Sequence, residues 1–119
     1  MATRKTNKNY EDVNRITFNY NGTEYIMEYD RDTAIQTEKT YGLSMNDVRD
    51  GKLSAFESLF NGAFIKHHPN IKQTTLDLFW SSMPNKPELF RNLTMMYVNC
   101  INTLLEEPEE GNAISWTTA

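Results

Sequence analysis

A single cysteine, Cys100, leaves the chain without a partner for an intrachain disulfide, so packing alone must hold the fold together. Long apolar runs are missing too: none approaches the roughly 20 residues that a membrane span needs. The opening MATRKTNKNY has no apolar segment of the secretory kind. A reducing cytoplasm is therefore the expected compartment, membranes are not expected partners, and the Asn-x-Thr matches at Asn21 and Asn92 are ordinary polar positions. Histidine is scarce. His67 and His68 are adjacent, which on a helix points them about 100° apart and denies them the shared face of an i, i+4 metal pair. No glycine-rich phosphate loop, zinc-ligand spacing or Ser/His/Asp arrangement can be assembled either, so no catalytic residue, metal or cofactor is expected. Positive charge is also thin. The net charge is −4, with Arg4, Lys5 and Lys8 at one end and Glu106, Glu107, Glu109 and Glu110 near the other. Phosphate contacts need clustered Lys and Arg, so nucleic acid is not an expected partner.

What the chain does have is one run of unambiguous period. In residues 84–107, Leu89, Leu93, Met96, Tyr97, Cys100, Ile101, Leu104 and Leu105 recur at steps of three and four, the signature of one face of a long amphipathic helix. Asn85 followed by Glu88 reads as a side-chain capping box, Pro87 sits where a helix needs no donor, and Pro108 stops the run. At 119 residues the chain is expected to form one domain that buries its own core.

In chain order, residues 1–14 are polar and aperiodic, and they read as a disordered arm. RITFNYNGTEYIMEY then places two alternating runs around Asn21-Gly22, the dipeptide best suited to a two-residue type I′ turn. This predicts a hairpin in which Ile16, Phe18, Tyr20, Tyr25 and Met27 share an apolar face, with Arg15 opposite Glu28 and Thr17 opposite Ile26 on the other. Asp30 or Asp32 caps a short helix through Tyr41, ended by Gly42, with a thin stripe of Ala34, Ile35 and Tyr41. Residues 43–52 read as a loop with at most one helical turn. Ser54 to Glu57 form a capping box for a second helix carrying Phe56, Leu59, Phe60, Ala63 and Phe64 as far as Pro69, and a third helix covers about 71–82 with Leu76, Phe79, Trp80 and Met83 on one side. The predicted class is α+β: an N-terminal antiparallel β-hairpin packed on a bundle of about four helices, as a single domain over 15–107. Residues 108–119 form a flexible acidic tail, in which 113–118 alternate as a short strand would; a frayed terminus is the competing reading.

His67 falls on the side of Phe56, Phe60 and Phe64, and reads as a helix-end residue with its ring on the core. Cys100, on the apolar stripe, reads as a small protonated hydrophobe. Ile65, Leu78, Met95 and Val98 lie off the main faces of their helices. With Ile114 and Trp116 of the tail they are the candidate partner-binding residues, second-layer packing being the plainer alternative.

Taken together, EYIMEYDRDTA, LFNGAFIKHHP, MPNKPEL and the long helix followed by LLEEPEEGNAISWT resemble the small tail assembly chaperones of long-tailed, siphovirus-type bacteriophages, especially those of Gram-positive hosts. The resemblance runs from Arg15 to Thr118. It implies non-enzymatic work in the host bacterial cytoplasm: holding the tape-measure protein soluble while the tail tube assembles, with the tail-tube protein as a second partner and absence from the mature virion. Self-association is expected separately, where the extended 113–118 segment of a neighbour, rather than of the same chain, pairs with an open edge of the hairpin. In many such phages a ribosomal frameshift adds a C-terminal extension to some copies. AIQTEKTYG is more polar than the family pattern at the short helix. Two other classes stay open: a phage-encoded inhibitor or trigger acting on a host defence protein, and a minor structural protein of the virion.

Overall fold

The structure, a computed structural model, describes residues 13–106, 108 and 110–118. Of the arm expected over 1–14, only Val13 and Asn14 fall within it, and Val13 packs against the core. The order is β1 (Arg15–Tyr20), β2 (Thr23–Glu28), α1 (Arg31–Tyr41), α2 (Met45–Arg49), α3 (Leu53–Gly62), α4 (Gln73–Ser82) and α5 (Lys86–Leu104), with a 3-10 turn at Glu110–Asn112. The protein is thus α+β, an antiparallel hairpin followed by helices, as expected.

The hairpin turns through Asn21 and Gly22, both at positive φ (51° and 83°), the backbone of a type I′ turn. That turn sets the register: Tyr20 pairs with Thr23, Phe18 with Tyr25, Ile16 with Met27 and Arg15 with Glu28. The inner face lands on α4 and on the stretch after α3. Phe18 stacks on Tyr25 and meets Phe79 edge-on with ring centroids 5.1 Å apart, while Tyr25 meets the same ring at 4.8 Å. Such pairings add to the area that the aromatic rings bury.

The helix borders depart from several cap readings. Asp30 caps α1 as expected, its side chain accepting from the Thr33 N–H while the Thr33 hydroxyl oxygen accepts from the Asp30 N–H, and Gly42 closes the helix at φ 71°. Helix α2 occupies what reads as a loop, capped by Ser44. Ser54 does not cap α3. Left-handed Gly51 follows α2, and the Lys52 carbonyl already accepts the Ala55 and Phe56 N–H groups, so α3 begins two residues earlier, off the end of α2. The helix also ends at Gly62 rather than running on to Pro69, because the chain tightens into turns there. Asn85 precedes α5 with left-handed backbone (φ 53°), a conformation Asn tolerates but one that turns its side chain away from the capping position.

Although α5 is the longest helix, α3 is the centre: it contacts each of the other four helices. Leu59, Phe60, Phe64, Phe79, Leu93, Tyr97 and Met27 are completely or almost completely buried around it. The polar character of α1 is accommodated by close approach. Thr33 and Thr37, rather than Ile35, face the core, and Thr37 lies against Gly62 of α3, where any Cβ would collide with it.

Candidate docking surface

The two edges of the hairpin are treated differently. In an antiparallel ladder alternate residues turn their N–H and C=O groups outward, and on β2 these belong to Glu24, Ile26 and Glu28. The segment following α3, residues 63–68, covers two of them: the Ile26 N–H donates to His68 Nε2 at 3.0 Å and the Glu28 N–H to the Ala63 carbonyl at 2.9 Å. The Glu28 side chain adds a second clasp, with His67 Nε2 at 2.8 Å, Lys66 Nζ at 3.2 Å and Arg15 at 3.3 Å; Lys66 also reaches Asp30 at 3.4 Å. Burial alone would raise the Glu28 carboxyl, but hydrogen bonds from His67 and Lys66 and the charges of Lys66 and Arg15 outweigh it and hold it below its ordinary value. The histidine reading is therefore reversed. It is His68 whose ring lies on the core side, 5.0 Å from Tyr25, and burial, then the neighbouring His67, pushes its imidazole below the usual range. His67 faces Glu28 and is not at a helix end, since α3 has already stopped.

The β1 edge has no such cover. Thr17 and Asn19, opposite Ile26 and Glu24, direct their backbone groups away from β2, and no partner for them is present among the described residues. Below this edge runs a groove of about 200 Å3 between β1 and the end of α4, lined by Phe18, Asn19, Tyr20, Phe79, Ser82, Met83 and Pro84. Its walls are mostly apolar. Leu78 stands one turn before Ser82 on α4 and is 43% exposed.

The family model described as a domain of unknown function, DUF5055, matches residues 3–119. The chain belongs to that family. Comparison with curated proteins and with solved structures returns no match.

The candidate partner-binding residues are spread over this DUF5055 domain. Leu78 is not itself in the groove lining but lies one helical turn from Ser82, which is. Ile114 and Trp116 are 86% and 80% exposed, in a segment without regular secondary structure. Ile65 is half-buried in the segment covering β2; Met95 and Val98 are half-buried on the side of α5 opposite Leu93, Met96 and Tyr97. That a two-stranded hairpin leaves open edges was legible in the sequence; which edge is covered was not, although Ile16 to Tyr20 without a single charge or proline marks the other one.

A second hollow of about 260 Å3 lies between α5 and the start of α1, lined by Tyr29, Asp30, Met96, Asn99, Cys100 and Thr103 among others. Its thiol and phenol are held neutral, while the Thr33 N–H, first among its partners, holds the Asp30 carboxyl below its ordinary value. Burial, and then the Asp30 charge, raise the Cys100 thiol; burial raises the Tyr29 phenol, whose hydroxyl donates to the Leu59 carbonyl at 2.7 Å. A thiol held protonated is a poor nucleophile. Among the described residues no group of three or more His, Cys, Asp or Glu is placed to hold a metal, and no helix is long and apolar enough to cross a membrane.

Proposed function

We propose that this domain is a non-enzymatic tail assembly chaperone of a long-tailed phage, which binds the tape-measure protein in the host cytoplasm and keeps it soluble until tail-tube subunits cover it. The order of hairpin, GAFIKHHP segment, long helix and acidic Ser-Trp-Thr tail supports this reading by resemblance. The structural observation that carries it furthest is Leu78, a large apolar side chain left open to water on α4, one helical turn from the groove-lining Ser82. A tape-measure helix bears a long apolar stripe until the tube encloses it, and an apolar surface on a small partner suits such a stripe.

Co-expression tests the proposal. The tape-measure protein encoded alongside should stay in the soluble fraction with the wild-type domain, and Leu78→Glu should reduce that fraction several-fold without unfolding the domain, since charge is costly in an apolar contact. A client equally soluble with and without the domain would refute the proposal; equal solubility with wild type and the variant would remove Leu78 from the contact.

A further inference from the structure

We propose that the open edge of β1 receives residues 113–118 of a second copy of this chain as an added strand, with Trp116 seated in the groove between β1 and α4. This goes beyond the chaperone reading, because a helical client satisfies its own backbone and has nothing to pair with a strand edge. Thr17 and Asn19 need an extended partner instead.

The occupant is identified by pattern and by reach. Ile114 and Trp116 are two apart and so fall on one side of an extended segment, while Ser115 and Thr117 fall on the other. Beside β1, the first pair would continue the apolar face of Ile16, Phe18 and Tyr20, and the second the uncharged polar face of Thr17 and Asn19. Both halves are unused among the described residues: the edge has no partner there, and Ile114 and Trp116 are almost fully exposed. Neither residues 16–20 nor 113–118 carry a charge to oppose their meeting.

Reach favours a neighbour. The groove lies at the start of α5, next to Pro84, whereas the tail departs from Leu104 at the far end, about 27 Å away along the helix axis. From Leu104 to Trp116 the chain spans at most about 37 Å, since Glu110–Asn112 form a 3-10 turn with a shorter rise. A chain's own tail would have to run back along the whole of α5 with only about 10 Å to spare. The tail of a second copy is under no such constraint, and because edge and tail are different surfaces, the contact joins copies reciprocally as a dimer or head to tail as a chain.

The test is the concentration dependence of mass by light scattering on the full chain, for wild type, Trp116→Ala and Thr17→Pro. Proline at 17 removes only an outward N–H, leaving the hairpin ladder intact. The contact is small, so association is expected on the order of 100 μM and above. Wild type should then rise above monomer mass, both variants should remain monomeric with native circular dichroism, and a free peptide of residues 113–118 should dissociate wild type. Should Thr17→Pro fail to fold, Trp116→Ala, in an exposed tail, decides alone. A wild type that stays monomeric at several hundred micromolar overturns the proposal, as does association undiminished in Trp116→Ala. Slow amide exchange at Thr17 and Asn19 in a monomer would assign the edge to the chain's own tail and overturn it equally.

Discussion

Gly62 is where α1 and α3 come closest, and its missing side chain is what allows it. A Cβ there would meet Thr37 Oγ1 at 2.1 Å and the Tyr29 hydroxyl at 2.7 Å. Neither atom is free to yield, since Thr37 donates to the Thr33 carbonyl at 2.7 Å and Tyr29 to the Leu59 carbonyl at 2.7 Å. Gly62→Ala should therefore destabilise the domain by about 2 kcal/mol, the usual cost of overpacking a core. An unchanged midpoint in urea would show that the helices part without cost. This also accounts for AIQTEKTYG looking too polar for a packed helix: a threonine whose hydroxyl bonds back to its own helix behaves as a small residue, and periodicity of apolar side chains does not register it. His68 supports a second expectation. Its folded-state pKa is lowered and its Nε2 accepts the Ile26 N–H, so protonation opposes folding. The stability it supports is complete above the ordinary histidine value near 6.5 and is lost as pH falls below it. Melting from pH 7.5 to 5.5 should show a steeper decline for wild type than for His68→Gln, which keeps an acceptor but does not titrate; parallel curves would contradict the assignment.

Two elements were legible for different reasons. The hairpin was readable because Asn21-Gly22 sets the turn, and the turn sets every pair up to Arg15 and Glu28. Helix α5 was readable because its stripe is long: Leu93, Met96 and Tyr97 are buried where the period puts them. Leu93→Ala should accordingly cost about 3 kcal/mol in chemical denaturation. A loss below about 0.5 kcal/mol would place Leu93 outside the core. Helix starts were legible in part: α1 follows Asp30 and α5 follows Asn85 as read, although left-handed Asn85 makes no side-chain cap, whereas Ser54 with Glu57 matches the capping pattern and yet the backbone after Gly51 starts α3 at Leu53. The cover over β2 was not legible at all. Residues 63–68 are far in sequence from Ile26 and Glu28, and a backbone N–H meeting a histidine ring leaves no local periodic trace.

At the scale of the molecule, one side of the hairpin is closed by residues 63–68 while the other, above a groove, has no cover among the described residues, and exposed Leu78 lies one turn from the groove-lining Ser82. This asymmetry is what the chaperone account uses: an apolar lip for a helical client and, separately, a strand edge for a second copy. Neither was readable from the apolar surplus alone, because Ile65, Met95 and Val98 shared the same off-stripe pattern as Leu78 yet are half-buried. The most direct measurement is the turbidity of tape-measure protein diluted from denaturant into buffer with and without the purified domain. The account predicts suppression of aggregation near equimolar domain, and markedly less with Leu78→Glu. Turbidity that rises identically with and without an excess of folded wild-type domain would contradict it.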